Sequence, residues 1–332
     1  KKLKEFSNAK HCITCANGTD ALVLALRALE IKENEIVFAP SFTYVSTVEA
    51  IKLINAKVCF VDVESDTYNI CPSKLEDSIN YIKKLGLKAR AVIAVDLFGQ
   101  PANYDELKKI SRKEKLSLIS DAAQSFGAKQ KNRKVGELCE ITTTSFFPAK
   151  PLGCYGDGGA VFTESTLVAN KIKSLRSHGQ GKDKYDNVRI GMNSRLDSIQ
   201  AAILIEKLKI FDYEINIRNK IAKFYKDNLS EKIVCPEVKK ENISVWAQFT
   251  IRVKNRKKLK ENLNKNGIPT AIYYRNPNHT QRPYKNELFI PDSMNNTIRL
   301  SRAVLSLPMH PYLNLNEQKK IVKTLNDFYE KK

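Results

Sequence analysis

Short apolar runs alternate with amphipathic runs over the first two thirds of the chain. The short runs have the length and β-branched content of strands, and the amphipathic runs have the apolar spacing of helices. Strands are predicted at residues 35–39, 57–63, 89–97, 116–120, 141–147 and 159–162. Helices are predicted between them at residues 21–29, 45–54, 73–84 and 104–114. This alternation predicts a mostly parallel sheet with helices on its faces.

The pattern changes in the last third of the chain. A long helix is predicted first, and after it come two strands and two helices at residues 194–228, 246–253, 256–266, 269–274 and 315–329. The fold class is therefore α/β, with a large domain at 1–220 that holds a mixed, mostly parallel sheet. A smaller C-terminal α+β domain is predicted at 221–332. Functional groups in such folds collect at the carboxyl ends of the strands, so we expect the site there.

The composition is that of a globular protein with a strongly positive charge. The 332 residues are 42 % hydrophobic and carry a net charge of +20. No apolar run reaches the ~18 residues that a membrane helix needs. The lysines are spread along helix surfaces rather than interleaved with aromatic residues, which argues against a nucleic-acid groove. We therefore expect neither a membrane nor a nucleic-acid partner, and we interpret the charge as a solvated surface that also attracts a nucleotide diphosphate.

The seven cysteines are scattered, and only Cys12 and Cys15 form a CxxC pair. A zinc site requires a second ligand pair at suitable spacing, and the sequence shows none. We expect free buried thiols in a reducing cytoplasm and no metal site. The chain also starts at Lys1 without a methionine, so we expect a native segment to precede it.

Lys150 stands where an apolar run gives way to a glycine-rich turn at 156–159. Pro148 and Pro151 flank the lysine and prevent a regular helix there. A lysine that is held in a desolvated position loses its charge more readily and can form a Schiff base with a carbonyl. Taken alone the pattern is weak, because most lysines are surface groups.

Two further motifs supply what such a lysine would need. Asp121 closes the predicted strand 116–120. A carboxylate in such apolar surroundings requires a cation, and the pyridinium nitrogen of pyridoxal phosphate is one. The alternative is that Asp121 caps a helix. Gly18 and Thr19 precede a helix, whose N-terminal amides either bind a phosphate or form a simple cap. The lysine, the acid and the phosphate cup together predict a pyridoxal-phosphate site.

Five segments resemble the DegT/StrS-type nucleotide-sugar aminotransferases, and their order and spacing match nearly the whole chain. The segments are residues 18–22, 121–127, 145–150, 156–160 and 191–197. The resemblance implies an aspartate-aminotransferase-like fold with pyridoxal 5'-phosphate as the cofactor. It implies L-glutamate as the amino donor and a nucleotide-linked keto sugar as the acceptor. It also implies a homodimer with shared active sites.

The resemblance implies roles for the residues around the cofactor ring. Lys150 corresponds to the lysine that carries the cofactor as a Schiff base and moves protons. Asp121 corresponds to the partner of the ring nitrogen. Gln124 is expected at the phenolic oxygen side of the ring, and Tyr44 is expected to stack on the ring.

The resemblance also implies how the phosphate and the partner subunit are reached. Gly18, Thr19 and Ser145 are expected to hold the phosphate. Asn193 is similar to the asparagine that reaches the phosphate in the partner subunit. Arg195 is expected to meet the sugar substrate of that subunit.

Three features bear on the sugar. A lysine at position 150, where some relatives have histidine and act as dehydratases, favours amino transfer. Asp157 lies in a Gly-Asp-Gly-Gly run, which is similar to relatives that act at carbon 3, whereas those that act at carbon 4 tend to have glutamate there. The runs 146–160, 246–248 and 307–311 most resemble enzymes that act on UDP-linked 3-keto-N-acetylhexosamines or their uronic acids.

Two histidines and two alternative functions complete the expectations. His178 and His310 are expected near the substrate, although a structural or surface role is the alternative for each. The expected process is the biosynthesis of a surface glycan or lipopolysaccharide. The alternatives are a pyridoxal-phosphate-dependent nucleotide-sugar dehydratase, and a non-catalytic regulator of this fold or a basic nucleic-acid binder.

Overall fold

Twelve strands and ten α-helices make up the computed structural model, which describes residues 1–183 and 185–330. The strands are β1 (His11–Cys15), β2 (Ile36–Pro40), β3 (Lys57–Val61), β4 (Ala89–Val95), β5 (Ser117–Asp121), β6 (Lys129–Gln130), β7 (Arg133–Lys134), β8 (Ile141–Ser145), β9 (Gly159–Thr163), β10 (Asn242–Ile243), β11 (Phe249–Arg252) and β12 (Val304–Leu307). The helices are α1 (Lys2–Ser7), α2 (Gly18–Ala28), α3 (Ser46–Lys52), α4 (Pro72–Lys84), α5 (Tyr104–Lys113), α6 (Thr166–Leu175), α7 (Ser198–Asn228), α8 (Arg256–Lys265), α9 (Asn295–Ala303) and α10 (Leu315–Glu330).

A seven-stranded sheet in the order β1-β9-β8-β5-β4-β2-β3 organises the first part of the chain. Five neighbouring strands of this sheet pair in parallel, in the order β8, β5, β4, β2 and β3. Only β9 runs the other way, antiparallel to both β1 and β8. The central strands are buried on both faces, which explains why their sequences are continuous apolar runs. The expected mixed, mostly parallel sheet is confirmed.

The sheet separates two hydrophobic cores. Neighbouring residues of a strand point to opposite faces, so Val37 packs with α2, α3 and α6 whereas Phe38 packs with α4 and α5. The parallel strands are thereby held in one register, and their carboxyl ends meet at a single edge. That edge is where the functional side chains lie.

A third core lies in the C-terminal part of the chain. It joins the end of α7 with α8, α10, β11 and β12. The 31-residue helix α7 contributes Phe211 to the core beneath the sheet and Tyr225 to this third core. One rigid helix therefore connects the two packing units, and the division at 220 and 221 stays a prediction.

The strand expected at 269–274 is wrong. Only Ala271 makes an isolated bridge, to Ser306 of β12, and the residues that follow turn towards the large sheet. Asn278 donates an amide N–H to the carbonyl oxygen of Thr43 at 3.0 Å, and Leu288 bridges to Cys59 beside β3. Ile272 still packs on the third core, but the chain pairs with β12 at one residue before it turns to the sheet.

Several short elements were not expected from the sequence. They are α1, β1, β6, β7, α6, β10, α9 and β12. Each is short, and β1 is completed only by antiparallel pairing with β9, a partner distant in sequence. Across residues 1–183 and 185–330, no helix has the length and apolar character that crossing a membrane requires.

The third core yields a stability prediction. Leu263 of α8 is fully buried there, so Leu263→Ala should lower the free energy of unfolding by about 2–5 kcal/mol through the cavity that it leaves. Urea unfolding can be followed through the fluorescence of Trp246, the single tryptophan, which lies in the same core. Glu261→Ala, on the exposed side of α8, is the control and should change stability by less than about 0.5 kcal/mol. Equal effects of the two changes would contradict this packing.

Candidate active site

A cavity of about 860 Å³ opens at the carboxyl ends of β4, β5 and β8. The N-terminus of α2 and the turn after β8 form two of its walls. Most of the residues expected to bind the cofactor line this one cavity, namely Gly18, Thr19, Tyr44, Asp121, Gln124, Ser145 and Lys150. They come from segments that are far apart in sequence, and the parallel sheet brings them together.

Asp121 ends β5 as a buried carboxylate. Its Oδ2 accepts a hydrogen bond of 2.8 Å from the hydroxyl of Thr47, and its Oδ1 accepts one of 3.2 Å from the N–H of Ala123. Burial raises the pKa of Asp121, while these two hydrogen bonds and the charge of Lys150 act against that rise. Within the described parts of the chain, no cation lies at ion-pair distance from this carboxylate. A cationic group of a ligand would offset the cost of burying the charge.

Lys150 lies in the turn that follows β8. Its backbone N–H donates to the carbonyl oxygen of Phe147 at 2.9 Å. A Cβ atom on Gly153 would come within 2.7 Å of that same oxygen, so the tight turn depends on glycine there. Burial lowers the pKa of Lys150, although the nearby charge of Asp121 opposes that change. The lowered pKa increases the fraction of neutral, nucleophilic amine near pH 7.

The N-terminus of α2 forms a cup for an anion. A Cβ atom on Gly18 would lie 2.7 Å from the Cβ of Ser145, so the helix approaches β8 this closely only because residue 18 is glycine. The side chain of Asn17 caps the helix by accepting from the N–H of Asp20 at 2.8 Å. The amides of Gly18 and Thr19 have no acceptor in the described chain and can bind a phosphate together with the helix dipole.

The wall opposite the cup holds an oriented glutamine and two tyrosine rings. Gln124 accepts at Oε1 from the N–H of Phe98 at 2.7 Å and donates from Nε2 to the hydroxyl of Tyr274 at 3.1 Å. These two contacts determine which side-chain atom of Gln124 is the oxygen and which is the nitrogen. Burial raises the pKa of Tyr274, so its hydroxyl stays protonated at neutral pH. The ring of Tyr44 lies 6.2 Å from that of Tyr274 and is 55 % exposed, so it is available to contact a bound ring.

Four expected site residues do not line the cavity of this chain: Asn193, Arg195, His178 and His310. All four are exposed. Asn193 and Arg195 were expected to act at the site of a partner subunit, and that role stays a prediction. The expectation that the two histidines lie near the substrate also remains a prediction.

Three residues at the cavity were not identified from the sequence. Thr47 donates a hydrogen bond to the buried carboxylate of Asp121, and Tyr274 and Gln248 lie on the cavity wall. Thr47 is three residues after Tyr44, but its distance from Asp121 is set only by the packing of α3 against the sheet. Tyr274 lies in the segment that was predicted as a strand. Gln248 belongs to the recognisable run 246–248, but its place on the wall depends on how the third core docks.

The cavity therefore matches the parts of pyridoxal phosphate one by one. Lys150 faces the space where an aldehyde would bind, and Asp121 offers a buried negative charge to a protonated ring nitrogen. The cup at Gly18 and Ser145 offers free amides and a hydroxyl to a phosphate. The residues present fit this cofactor.

Comparison with known proteins supports the same assignment. The model of the DegT/DnrJ/EryC1/StrS aminotransferase family matches residues 1–326. The chain is 43 % identical to a UDP-2-acetamido-2-deoxy-3-oxo-D-glucuronate aminotransferase of Pseudomonas aeruginosa, over 94 % of this chain and 85 % of the relative. It is 36 % identical to a UDP-N-acetyl-3-dehydro-alpha-D-glucosamine 3-aminotransferase of Acidithiobacillus ferrooxidans, over 92 % of this chain and 81 % of that protein.

A solved structure supports the fold. The crystal structure of a DegT/DnrJ/EryC1/StrS aminotransferase from Brucella abortus superposes with a TM-score of 0.97 and 45 % sequence identity. The match covers 98 % of this chain and 88 % of that one. The expected aspartate-aminotransferase-like fold is confirmed.

The hydrogen bond from Thr47 generates a prediction about pH dependence. Asp121 must be ionised to hold a cationic ring, and the hydroxyl of Thr47 keeps its pKa lower than burial alone would. Thr47→Val should therefore raise that pKa, so activity is lost at a higher pH as the solution is acidified. The acid limb of the kcat/KM profile should move upward by about one pH unit.

Thr144→Val is the matched control, because that buried threonine of β8 donates to the carbonyl oxygen of Ala122 rather than to Asp121. It should leave the acid limb in place. An acid limb that is identical in wild type and Thr47→Val would show that Asp121 does not set it.

Proposed function

Because the chain belongs to the DegT/DnrJ/EryC1/StrS aminotransferase family, we propose that it transfers the amino group of L-glutamate to the carbon-3 keto group of a UDP-linked N-acetyl sugar. The observation that carries the proposal is the pair formed by Lys150 and Asp121. An amine with a lowered pKa and a buried carboxylate without a cation face one cavity. Amino transfer with pyridoxal phosphate requires both groups.

The residues of this chain divide the work of the reaction. Pyridoxal phosphate, when bound, supplies an aldehyde and a protonated ring that accepts electrons as the amino group is transferred. Lys150 would hold the aldehyde carbon until the amino donor displaces it, and its freed Nζ would then move a proton between the substrate carbon and the former aldehyde carbon. Asp121 would keep the ring nitrogen protonated. Gly18, Thr19 and Ser145 would hold the phosphate.

Other side chains orient the ring. Tyr44 would contact its face, and Gln124 would donate its remaining Nε2 hydrogen to the phenolic oxygen. Tyr274 fixes that amide from the C-terminal part of the chain. The orientation of the ring therefore depends on both packing units.

The choice of a UDP-linked 3-keto sugar has two supports. The two relatives named above act, by their names, on 3-oxo or 3-dehydro sugars carried by UDP. Asp157, whose Gly-Asp-Gly-Gly context resembles carbon-3 enzymes, lines the cavity. Together they favour carbon 3 over carbon 4. The proposed process is the biosynthesis of a surface glycan or lipopolysaccharide.

The alternatives account for less of the site. A dehydratase of this family would have histidine where this chain has Lys150. A regulator or nucleic-acid binder would have no use for a desolvated amine facing a buried carboxylate. Amino transfer therefore explains the cavity best.

We further propose that two chains form a homodimer with shared sites. Asn193 and Arg195 do not line their own cavity, and the segment before them exposes Val188 and Ile190, the latter at 89 %. A second copy would cover these apolar side chains and receive the two polar ones at its cavity.

The free state of all seven cysteines supports a reducing compartment, the cytoplasm.

The function is tested with a panel of substrates. Purified protein with pyridoxal phosphate and L-glutamate should convert UDP-linked 3-keto-N-acetyl sugars, and not dTDP-linked 4-keto sugars, to amino sugars detected by mass spectrometry. Lys150→Ala should lower turnover about a thousand-fold or more, because it removes the group that moves the proton. Lys88→Ala, a change at an exposed lysine far from the cavity, should keep full activity. Full activity of Lys150→Ala, or amination of the 4-keto sugars alone, would contradict the proposal.

Shared sites are tested by mixing two inactive variants. If each site uses Arg195 of the other subunit, a dimer of one Lys150→Ala chain and one Arg195→Ala chain has both defects in one site. The other site of that dimer has no defect. Random exchange of subunits should then restore about a quarter of the wild-type activity. No recovery after exchange, confirmed by tagged subunits, would show that each chain supplies its own arginine.

A further inference from the structure

Gln248 stands out on the cavity wall because its side chain has no hydrogen-bond partner. Its Oε1 is enclosed by the protein and accepts no hydrogen bond from any described residue. Other buried atoms without partners, such as Nε of Arg90 and Oγ1 of Thr142, belong to residues that do not line the cavity. Within residues 1–183 and 185–330, Gln248 thus contributes the unsatisfied buried acceptor of this cavity.

The backbone under Gln248 is firmly placed. Its N–H donates to the carbonyl oxygen of Phe98 at 3.4 Å, and Phe98 donates its own N–H to Gln124 at 2.7 Å. Gly99 has a φ of +111°, and a Cβ there would lie 2.7 Å from the nitrogen of Trp246. The segment that carries Gln248 is therefore pressed against the loop that orients Gln124, and the two glutamines share one wall.

The chemistry of an unpartnered amide discriminates between the two substrates. An enclosed amide without a hydrogen-bond partner is unfavourable, so a ligand that supplies a partner binds more tightly. The amide of Gln248 is neutral and both donates and accepts, whereas the carboxylates of L-glutamate are best matched by cations. A keto sugar carries hydroxyl and acetamido groups, which also donate and accept, next to its reacting carbon. The amide therefore matches the sugar better than the amino donor.

We propose that Gln248 is a sugar-recognition residue, whose unpartnered side-chain amide turns into the cavity and forms a hydrogen bond with a hydroxyl or acetamido group of the keto sugar. It acts in the sugar half of the reaction and has no part in the glutamate half. This assignment rests on the proposed function, and it adds a specificity-determining residue to it.

The test separates the two halves of the reaction. Gln248→Met keeps the length of the side chain and removes its hydrogen bonding, and Gln248→Ala is a second variant that excludes crowding by the methionine. In both, the KM for the 3-keto sugar should rise about ten-fold or more, as the loss of such a hydrogen bond implies. The rate at which L-glutamate alone converts the bound cofactor, followed by visible absorbance, should stay within about two-fold of wild type.

A binding measurement gives a readout without turnover. Calorimetric titration with UDP-N-acetylglucosamine, which has the same donors around a carbon-3 hydroxyl, should show a dissociation constant weakened by about ten-fold or more. Gln281→Met is the matched control, since its Nε2 donates only within the segment 276–278 and the residue does not line the cavity. That control should match wild type in both assays.

The outcomes distinguish the two proposals. Unchanged sugar KM and unchanged binding of UDP-N-acetylglucosamine in both Gln248 variants would overturn the role of Gln248, because its side chain would then form no hydrogen bond with the sugar. An equal loss in the glutamate half-reaction would overturn it as well, since that result indicates a general structural role. Failure of the wild type to form any amino sugar would instead refute the proposed function.

Discussion

The site depends on one unbalanced charge, the carboxylate of Asp121 at the end of β5. A buried acid with hydrogen-bond donors but no cation at ion-pair distance is held at a free-energy cost, and binding a cationic ring would recover that cost. The carboxylate stays buried despite this cost, because β5 lies between two parallel neighbours and cannot move its end into solvent. The same carboxylate sits close enough to Lys150 to oppose the fall in its pKa. The affinity for the cofactor and the reactivity of the amine are therefore linked.

The cavity also requires both packing units of the chain. The cup, the acid and the lysine come from the large sheet, whereas Tyr274 and Gln248 reach the cavity from residues beyond α7. Most of the groups proposed to bind the cofactor are thereby carried by the sheet and its helices, whereas Gln248, proposed to recognise the sugar, belongs to the C-terminal part.

Local sequence was sufficient, once the three motifs were taken together, to predict that groups at the ends of strands and helices share one site. Lys150, Asp121 and Gly18 each stand where an apolar run meets a turn or a helix start, so short-range pattern and chemistry identified them. Thr47 and Gln248 could not be found in this way, because their roles arise from contacts with residues distant in sequence. The error at 269–274 has the same origin, since an apolar run that crosses between two units has the composition of a strand but pairs at only one residue.

The central claim is that Asp121 keeps the ring nitrogen of the bound cofactor protonated, and nuclear magnetic resonance measures that state directly. Pyridoxal phosphate labelled with ¹⁵N in its ring would be bound to the wild-type protein and titrated with base over the range in which the protein stays folded. The account predicts a ring-nitrogen resonance at the protonated position throughout that range. A resonance at the deprotonated position at neutral pH would contradict it.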